Sequence, residues 1–292
     1  MATTLELTVE TFKGPVDPDW CPGCGDFGVL RSLQTAAAQI GVQPKDLMVV
    51  SGIGCSSNLP GFINAYGIHS LHGRSIPVAT GVHFANTDMK TVVTGGDGDG
   101  YGIGVGHLIH AMRRNLDLTY FVMDNQIYGL TTGQASPTTT RGHKTKSTPN
   151  GNAEIPLNPI ALAITAGATF VARGFSGEAK QLVDLMAQAM QHKGFALIDI
   201  FSPCVTYNKV NTYPWFKERV YKLEETDHDP TDHKQAFSKA FEWGDKIPLG
   251  VIYKEEQVTY EDTEPVLQRG PLVKQPLGLA PDVLNDFIEE MI

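Results

Sequence analysis

The chain of 292 residues lacks a long apolar run, and no stretch approaches the roughly 20 apolar residues that a membrane-spanning helix needs. Its amino terminus, MATTLELTVETFKGP, has neither the basic nor the apolar region of a secretory signal. Basic runs are also missing, and the formal net charge is -9, which argues against a nucleic-acid-binding surface. We therefore expect a cytoplasmic protein that binds neither membranes nor nucleic acid.

Cysteine is scarce, with four residues in the whole chain. So few thiols exclude a small secreted scaffold that is held together by disulfides. In a reducing compartment they serve as metal ligands, as nucleophiles or as inert core thiols. They are Cys21, Cys24, Cys55 and Cys204.

Short apolar segments alternate with helical periodicity through the first 200 residues. We predict strands over 47–51, 91–94, 118–123, 169–171 and 195–200. We predict helices over 28–40, 78–85, 103–114, 159–166 and 177–192. Apolar strands that are separated by helices predict an α/β fold with a doubly wound, mostly parallel sheet, in which ligands bind at the carboxyl ends of strands.

Two stretches depart from this alternation. Residues 131–156 are rich in Thr, Gly, Pro, Asn and Lys, and a loop of that length is typically functional or disordered. After residue 204 the apolar alternation weakens and acidic and proline residues accumulate. We therefore divide the chain into a ligand-binding domain, 1–204, and an appendage of helix and coil, 205–292, which we expect to pack against a neighbouring protein chain.

The most informative motif is GGDGDGYGIG, which begins at Gly95 and directly follows an apolar strand. Glycines let the backbone approach a diphosphate, and the following helix directs free N–H groups at the anion. A second motif, MDNQIYGLTTGQ, follows the next strand. Magnesium prefers oxygen ligands, and Asp97, Asn125 and the backbone carbonyl of Ile127 supply them. The pair of motifs resembles the thiamine-diphosphate motif, although Asp124 stands where many such proteins have Asn.

The CPGC pair at Cys21 and Cys24 is compatible with a redox dithiol, half of a zinc site or half of an iron–sulfur site. A zinc site more often shows two closely spaced pairs. Here Cys55 and Cys204 are single and distant, and each follows a predicted strand. Four separated thiolates suit a cubane cluster, which takes one cysteine per iron, but the cysteines alone leave zinc and inert thiols open.

The order of the motifs adds a resemblance to a known family. CPGCG, GCSS, HGR, the thiamine motif and SPC resemble, in this order and over roughly residues 15–220, the β subunit of 2-oxoacid:ferredoxin oxidoreductases. The resemblance implies thiamine diphosphate, Mg²⁺ and one [4Fe-4S] cluster that is held by all four cysteines. It implies coenzyme-A-dependent, reversible oxidative decarboxylation of a 2-oxoacid, with the electrons leaving through this cluster to ferredoxin.

The same resemblance assigns roles to individual residues. The candidate catalytic residues are Leu130, Asn58 and His72. His72 approaches the aminopyrimidine or the diphosphate, and Leu130 shapes the pocket for the 2-oxoacid. The residues expected along the cofactor are Ile53, Gly54, Cys55, Ser56, His72, Gly73, Gly98, Asp99, Gly129 and Leu130.

Activation of thiamine in this family needs a Glu from a second domain of similar fold. This chain shows no second module that supplies the Glu. We therefore expect an α subunit as partner, in an αβ or (αβ)2 enzyme that is inactive without it.

The substrate is expected to be 2-oxoglutarate, because the stretches that begin at Ile63 and Ser202 look most like that branch. Asn58, however, stands where such members often carry a basic residue, so a cation would come from Lys45, Arg74, Lys209 or the partner. Pyruvate or a branched 2-oxoacid remains open as substrate. Two other classes also remain open: a non-redox thiamine-dependent decarboxylase or carboligase, and a zinc-stabilised interaction subunit.

Overall fold

The computed structural model describes residues 7–278 and 280–291, and a single twisted sheet runs through the described chain. Apolar, β-branched segments form its central strands and are buried on both faces. The strands are β1 Leu47–Ser51, β2 Tyr66–His69, β3 Lys90–Gly96, β4 Thr119–Asp124, β5 Phe170–Phe175, β6 Ala196–Phe201, β7 Val220–Lys222 and β8 Ile247–Lys254.

The strand order is β2-β1-β3-β4-β6-β5-β8-β7. Neighbouring strands pair in parallel, except that β8 runs antiparallel to β5. The change of direction between adjacent crossovers makes the sheet doubly wound. The α/β fold class predicted from the alternating pattern is therefore confirmed.

Helices cover both faces of this sheet. One core lies beneath α1 and α5, and a second core lies beneath α2, α3, α4 and α7, so the central strands have apolar neighbours on each side. The helices are α1 Gly25–Gln39, α2 Ser75–Ala85, α3 Val105–Arg113, α4 Pro159–Thr165, α5 Ala179–Gln191, α6 Tyr213–Lys217, α7 His233–Ala240, α8 Tyr260–Thr263 and α9 Pro281–Glu290. Within residues 7–278 and 280–291, no helix is long and apolar enough to cross a membrane.

The segment after residue 204 contains strands that the sequence did not predict. We expected helix and coil there, but β7 and β8 extend the sheet beyond β5, and β8 is almost completely buried. Pro248 and Gly250 interrupt the apolar pattern of β8, and both residue types normally argue against a strand. Helix and coil therefore describe this segment only in part, while the division at residue 204 and its packing against a partner chain stay predictions.

Candidate functional site

Four neighbouring strands, β1, β3, β4 and β6, end at the same edge of the sheet. The chain leaves β1 toward Cys55, β3 toward Asp97, β4 toward Asn125 and β6 toward Cys204. Parallel pairing brings these strand ends together although they are separated in sequence by up to about 150 residues. The edge therefore gathers candidate metal ligands of both kinds, oxygen and sulfur.

A cavity of about 250 Å³ opens at this edge, and we call it the strand-end cavity. Every residue predicted to lie along the cofactor lines it except Gly73, and so do the three predicted magnesium ligands. Its complete lining is Ile53, Gly54, Cys55, Ser56, His72, Gly96, Asp97, Gly98, Asp99, Asn125, Ile127, Tyr128, Gly129, Leu130 and Thr131.

The predicted magnesium ligands are held by hydrogen bonds within the loops. The Thr138 hydroxyl lies 2.6 Å from Oδ2 of Asp97 and 2.9 Å from Oδ1 of Asp124. Oδ1 of Asn125 accepts a 3.0 Å hydrogen bond from the backbone N–H of Ile127, which closes the turn and leaves the second lone pair of that oxygen free.

Burial, together with the nearby Asp199 and Asp97 carboxylates, raises the pKa of Asp124 well above its usual value. Burial also raises the pKa of Asp97. A hydroxyl has a single proton for these two acceptors. The two carboxyl groups therefore share one hydroxyl donor, and burial disfavours the charged form of both.

Tyr128 fixes the glycine turn that follows β3. Its hydroxyl donates a 3.0 Å hydrogen bond to the carbonyl of Gly98. The tyrosine ring lies so close that a Cβ on Gly98 would sit 2.1 Å from it. Only glycine therefore fits at this position beneath the ring, at a point where the turn borders the strand-end cavity.

His72 is held by Asp99, whose carboxylate is fully buried. The Nδ1 atom of His72 lies 3.0 Å from Oδ1 of Asp99. The same oxygen accepts hydrogen bonds from the backbone N–H groups of Ile53 and Gly73. Gly73 thus belongs to the frame of the strand-end cavity rather than to its lining.

The four cysteines line a second space, also of about 250 Å³, which we call the cysteine cavity. Cys21 is exposed, and the other three thiols are half-buried. The two cavities share part of their walls, and at this boundary a Cβ on Gly129 would lie 3.7 Å from the sulfur of Cys55 and 3.7 Å from that of Cys204. Across residues 7–278 and 280–291, no three His, Cys, Asp or Glu side chains are grouped as they would be around one metal ion.

The amino-terminal end of α1 and the end of β6 hold the cysteine cavity together. The Ser202 hydroxyl donates a 2.6 Å hydrogen bond to Oδ1 of Asp26, and Gly25 N–H donates to the carbonyl of Pro203. On the opposite side, the indole N–H of Trp20 donates to the carbonyl of Cys55. These contacts connect the segments that carry Cys24, Cys55 and Cys204.

Two of the four thiols, Cys24 and Cys55, have a raised pKa. Burial and the nearby Asp26 carboxylate raise the pKa of Cys55 to about 11, and the same causes raise the pKa of Cys24 further. Burial raises the pKa of Asp26 itself to about 6. A metal that binds these sulfurs must therefore displace protons from them.

Two protein-family models match successive parts of the chain. Residues 52–200 match the family model of the thiamine pyrophosphate enzyme C-terminal TPP-binding domain. Residues 204–269 match the family model of the C-terminal part of the pyruvate ferredoxin oxidoreductase β subunit. The strand-end cavity is thus built by a TPP-binding domain.

Curated relatives extend over most of the chain. A 2-oxoacid:ferredoxin oxidoreductase subunit beta from Sulfolobus sp. is 49% identical over 257 residues, covering 84% of each chain. Subunit beta of 2-oxoacid:ferredoxin oxidoreductase 1 from Aeropyrum pernix is 48% identical over 274 residues, covering 90% of this chain and 86% of the relative. The chain belongs to the 2-oxoacid:ferredoxin oxidoreductase family as a β subunit.

A solved structure supports the same assignment for this β subunit. It is 2-oxoglutarate:ferredoxin oxidoreductase from Magnetococcus marinus with 2-oxoglutarate, coenzyme A and succinyl-CoA bound. It is 39% identical, with a TM-score of 0.91, and the match covers 98% of this chain and 97% of that one. The 2-oxoglutarate oxidoreductase subunit KorB from Mycobacterium tuberculosis is 44% identical over 197 residues, covering 68% of this chain and 53% of the relative.

The structure gives the positions of two predicted site residues of the β subunit, Asn58 and Leu130, relative to the two cavities. Asn58 lines the cysteine cavity and not the strand-end cavity. Leu130 is 55% exposed and lines both cavities, so it is not a core residue. Among the described residues that line the strand-end cavity there is no Lys or Arg, and the candidates Lys45, Arg74 and Lys209 are therefore not part of this wall.

Sequence reasoning also missed the residues that position the ligands of the β subunit. Thr138 lies in the long polar loop, where no spacing rule connects it to Asp97. Trp20 directly precedes the CPGC pair, and Tyr128 lies within the second motif. Both residues could be located beside the site from the sequence, but their hydrogen bonds could not be predicted. Asp26 follows the cysteine pair by two residues, and its burial was not predictable from a helix amino terminus, where acidic residues are common.

Proposed function

We propose that this β subunit binds thiamine diphosphate with Mg²⁺ in the strand-end cavity and a [4Fe-4S] cluster in the cysteine cavity. With an α subunit it catalyses reversible, coenzyme-A-dependent oxidative decarboxylation of a 2-oxoacid, most specifically 2-oxoglutarate to succinyl-CoA and CO2. When bound, thiamine diphosphate would supply an electron sink for the decarboxylation, and a cluster held by the four cysteines would supply a one-electron path to ferredoxin.

The fit of the strand-end cavity supports the cofactor. Asp97 and Asn125 offer hard oxygen ligands from two adjacent strand ends, and Ile127 adds a backbone carbonyl, which is the donor set that Mg²⁺ prefers beside phosphate oxygens. Gly98 has no side chain, and its backbone packs closely against the ring of Tyr128. These residues bind and orient the diphosphate end, while Leu130 lies beside the space that is left for the reacting end.

The shared wall between the two cavities is the observation that carries the redox part of the proposal. Cys55 belongs to both linings, and Gly129 separates the cavities without a side chain. A group that releases electrons on one side therefore lies next to a group that accepts them on the other. A thiamine enzyme without redox chemistry does not need a cysteine cavity next to its cofactor cavity.

The arrangement of the thiols supports a cluster over zinc. Zinc draws four sulfurs to about 2.3 Å from one point, whereas a cubane cluster occupies a volume and takes one cysteine at each of four irons. The four cysteines surround a cavity of about 250 Å³. This space suits a polynuclear cluster.

Support for 2-oxoglutarate comes from the Magnetococcus and Mycobacterium proteins, whose names carry this substrate. Its distal carboxylate requires a cation, and the described lining of the strand-end cavity contains none. We therefore assign that cation, together with the Glu that activates thiamine, to the α subunit. Pyruvate remains the second candidate, because it has no distal carboxylate to compensate.

The proposal is tested by producing the β subunit together with its α partner and purifying the complex without oxygen. We expect four irons, four sulfides and one thiamine diphosphate per β chain, and coenzyme-A-dependent reduction of a viologen dye that is fastest with 2-oxoglutarate. The Asp97→Ala complex is the matched control, since it should keep iron and lose activity. Zinc in place of iron, or full activity without coenzyme A, would overturn the proposal.

A further inference from the structure

Trp20 lines the cysteine cavity beside the CPGC pair. Because an indole N–H can donate a hydrogen bond but not accept one, the ring is not a candidate ligand. We propose that Trp20 is a positioning residue for electron transfer, whose indole fixes the main chain of Cys55 and excludes water from the cysteine cavity. The inference rests on the proposed function, since the group whose reduction potential it adjusts is the proposed cluster.

The ring of Trp20 joins the segments that carry the first three cysteines. Its N–H donates a 2.6 Å hydrogen bond to the carbonyl of Cys55. Its centroid lies 5.4 Å from that of Phe27 and 5.0 Å from that of Phe62, and both contacts are edge-to-face. Phe27 follows Cys24 by three residues in α1, and Phe62 ends the helical turn that Cys55 begins. The position of the ring therefore determines how the CPGC pair faces Cys55.

The main chain before Cys55 requires a contact of this kind. Gly54 has a φ of +133°, a conformation that residues with a side chain rarely adopt. On the other side of this glycine, the N–H of Ile53 donates a 2.9 Å hydrogen bond to Oδ1 of Asp99. One hydrogen bond thus fixes the residue before Gly54, and the indole of Trp20 fixes the residue after it. Since Cys55 lines both cavities, the indole acts at their shared wall.

The size of the indole also affects the electrostatics of the cysteine cavity. Trp20 is 7% exposed, whereas the adjacent Cys21 is exposed to solvent. A smaller side chain at residue 20 would leave space that water can enter from this exposed end. Reduction adds a negative charge to a cluster, and water stabilises that charge better than an apolar ring does. Loss of the indole should therefore make the proposed cluster easier to reduce.

Three variants of the αβ complex, purified without oxygen, test this assignment. Trp20→Phe removes the N–H donor and part of the ring but keeps an aromatic side chain. Phe27→Leu weakens the packing against the indole at a half-buried position and keeps the donor. Trp215→Phe is the matched control, since its ring contacts Phe216 and Trp243 and, within the described part of the chain, lines neither cavity.

The main measurement is the reduction potential of the cluster, which is followed by EPR during titration with a chemical reductant. We expect Trp20→Phe to raise the ratio of reduced to oxidised cluster at a fixed potential by about three- to tenfold. A tenfold change corresponds to about 59 mV for a one-electron centre. Phe27→Leu should raise the ratio by a smaller factor, and Trp215→Phe should leave it unchanged. All three variants should keep four irons per β chain.

An unchanged ratio in Trp20→Phe would overturn the assignment. An equal rise in Trp215→Phe would do so as well, because the effect would then not depend on the contact with Cys55. Loss of iron from a folded Trp20→Phe complex would also overturn it, since the indole would then be needed to bind the cluster and not to adjust it. If Trp20→Phe does not fold, Phe27→Leu decides, and an unchanged ratio there contradicts the assignment. An unaltered complex without iron would instead refute the proposed function, which is a separate outcome.

Discussion

The most demanding test of the strand-end cavity is a single methyl group at residue 98. In Gly98→Ala the new Cβ would lie 2.1 Å from the ring of Tyr128, whereas ordinary contacts begin near 3.4 Å. The ring must therefore move by about 1.3 Å, the difference between these distances. Tyr128 lines the strand-end cavity, so the relaxed ring has room to move into the space proposed for the cofactor.

The magnitude follows from the cost of overpacking. An added methyl group in a tightly packed site costs about 1–3 kcal/mol. The bound cofactor must push the ring back against the methyl group, so the free energy of cofactor binding is weakened by the same amount. Affinity for thiamine diphosphate should therefore fall by roughly 5- to 150-fold. Isothermal titration of the cofactor-free αβ complex with thiamine diphosphate and Mg²⁺ measures the change directly.

Two further variants separate this mechanism from general damage. Gly106→Ala adds a methyl group in α3 where nothing lies within 4 Å, so it should leave affinity unchanged and raise stability by about 0.5–1 kcal/mol. In a Tyr128→Ala background, Gly98→Ala should cost nothing, because the ring is absent. Unaltered affinity for the single Gly98→Ala variant, or an equal loss without the ring, would refute the reasoning.

Three other substitutions probe the remaining parts of the site. Asp97→Ala should abolish retention of thiamine diphosphate on gel filtration but keep the iron, since Thr138 retains its contact with Asp124; full retention would remove Asp97 from the metal site. Cys204→Ser should lower iron and sulfide content because serine is a poorer ligand for iron, and an unchanged iron content would point to another ligand. Leu130→Asn should change the ratio of kcat/KM among pyruvate, 2-oxobutyrate and 2-oxoglutarate by about 1–3 kcal/mol of discrimination. A uniform loss across the three substrates would instead leave substrate choice to the α subunit.

The central strands were predictable because their apolar runs are bounded by helices on both sides. All five predicted strands exist, and β1 has the bounds that were expected. The outer strands were not predictable, since β2 is short and mostly exposed and β7 has only three residues. Strand β8 depends on pairing with β5, a tertiary contact that overrides its Pro and Gly.

Some site residues could likewise be predicted from local motifs, whereas the positions of others depend on contacts between distant segments. Asp97 and Asn125 follow strands in motifs that could be interpreted locally, and the structure brings both to one cavity. The meeting of Cys21 and Cys24 with Cys204 depends on the packing of α1 against the end of β6, and the sequence suggested it only through the resemblance of its motifs. The hydroxyl and carboxylate partners of these ligands arise from tertiary contacts that leave no periodic signal.

The order of the cysteines along the chain has a consequence for biosynthesis. Two thiols precede α1, the third follows β1, and the last appears only after β6. A nascent polypeptide therefore cannot present the complete set before Cys204 has left the ribosome, by which time the central strands have all been made. The proposed cluster can therefore be completed only after the strands β1 to β6 have been synthesised. The start of α1 is joined to the end of β6 without it, through the contacts of Gly25 with Pro203 and of Asp26 with Ser202.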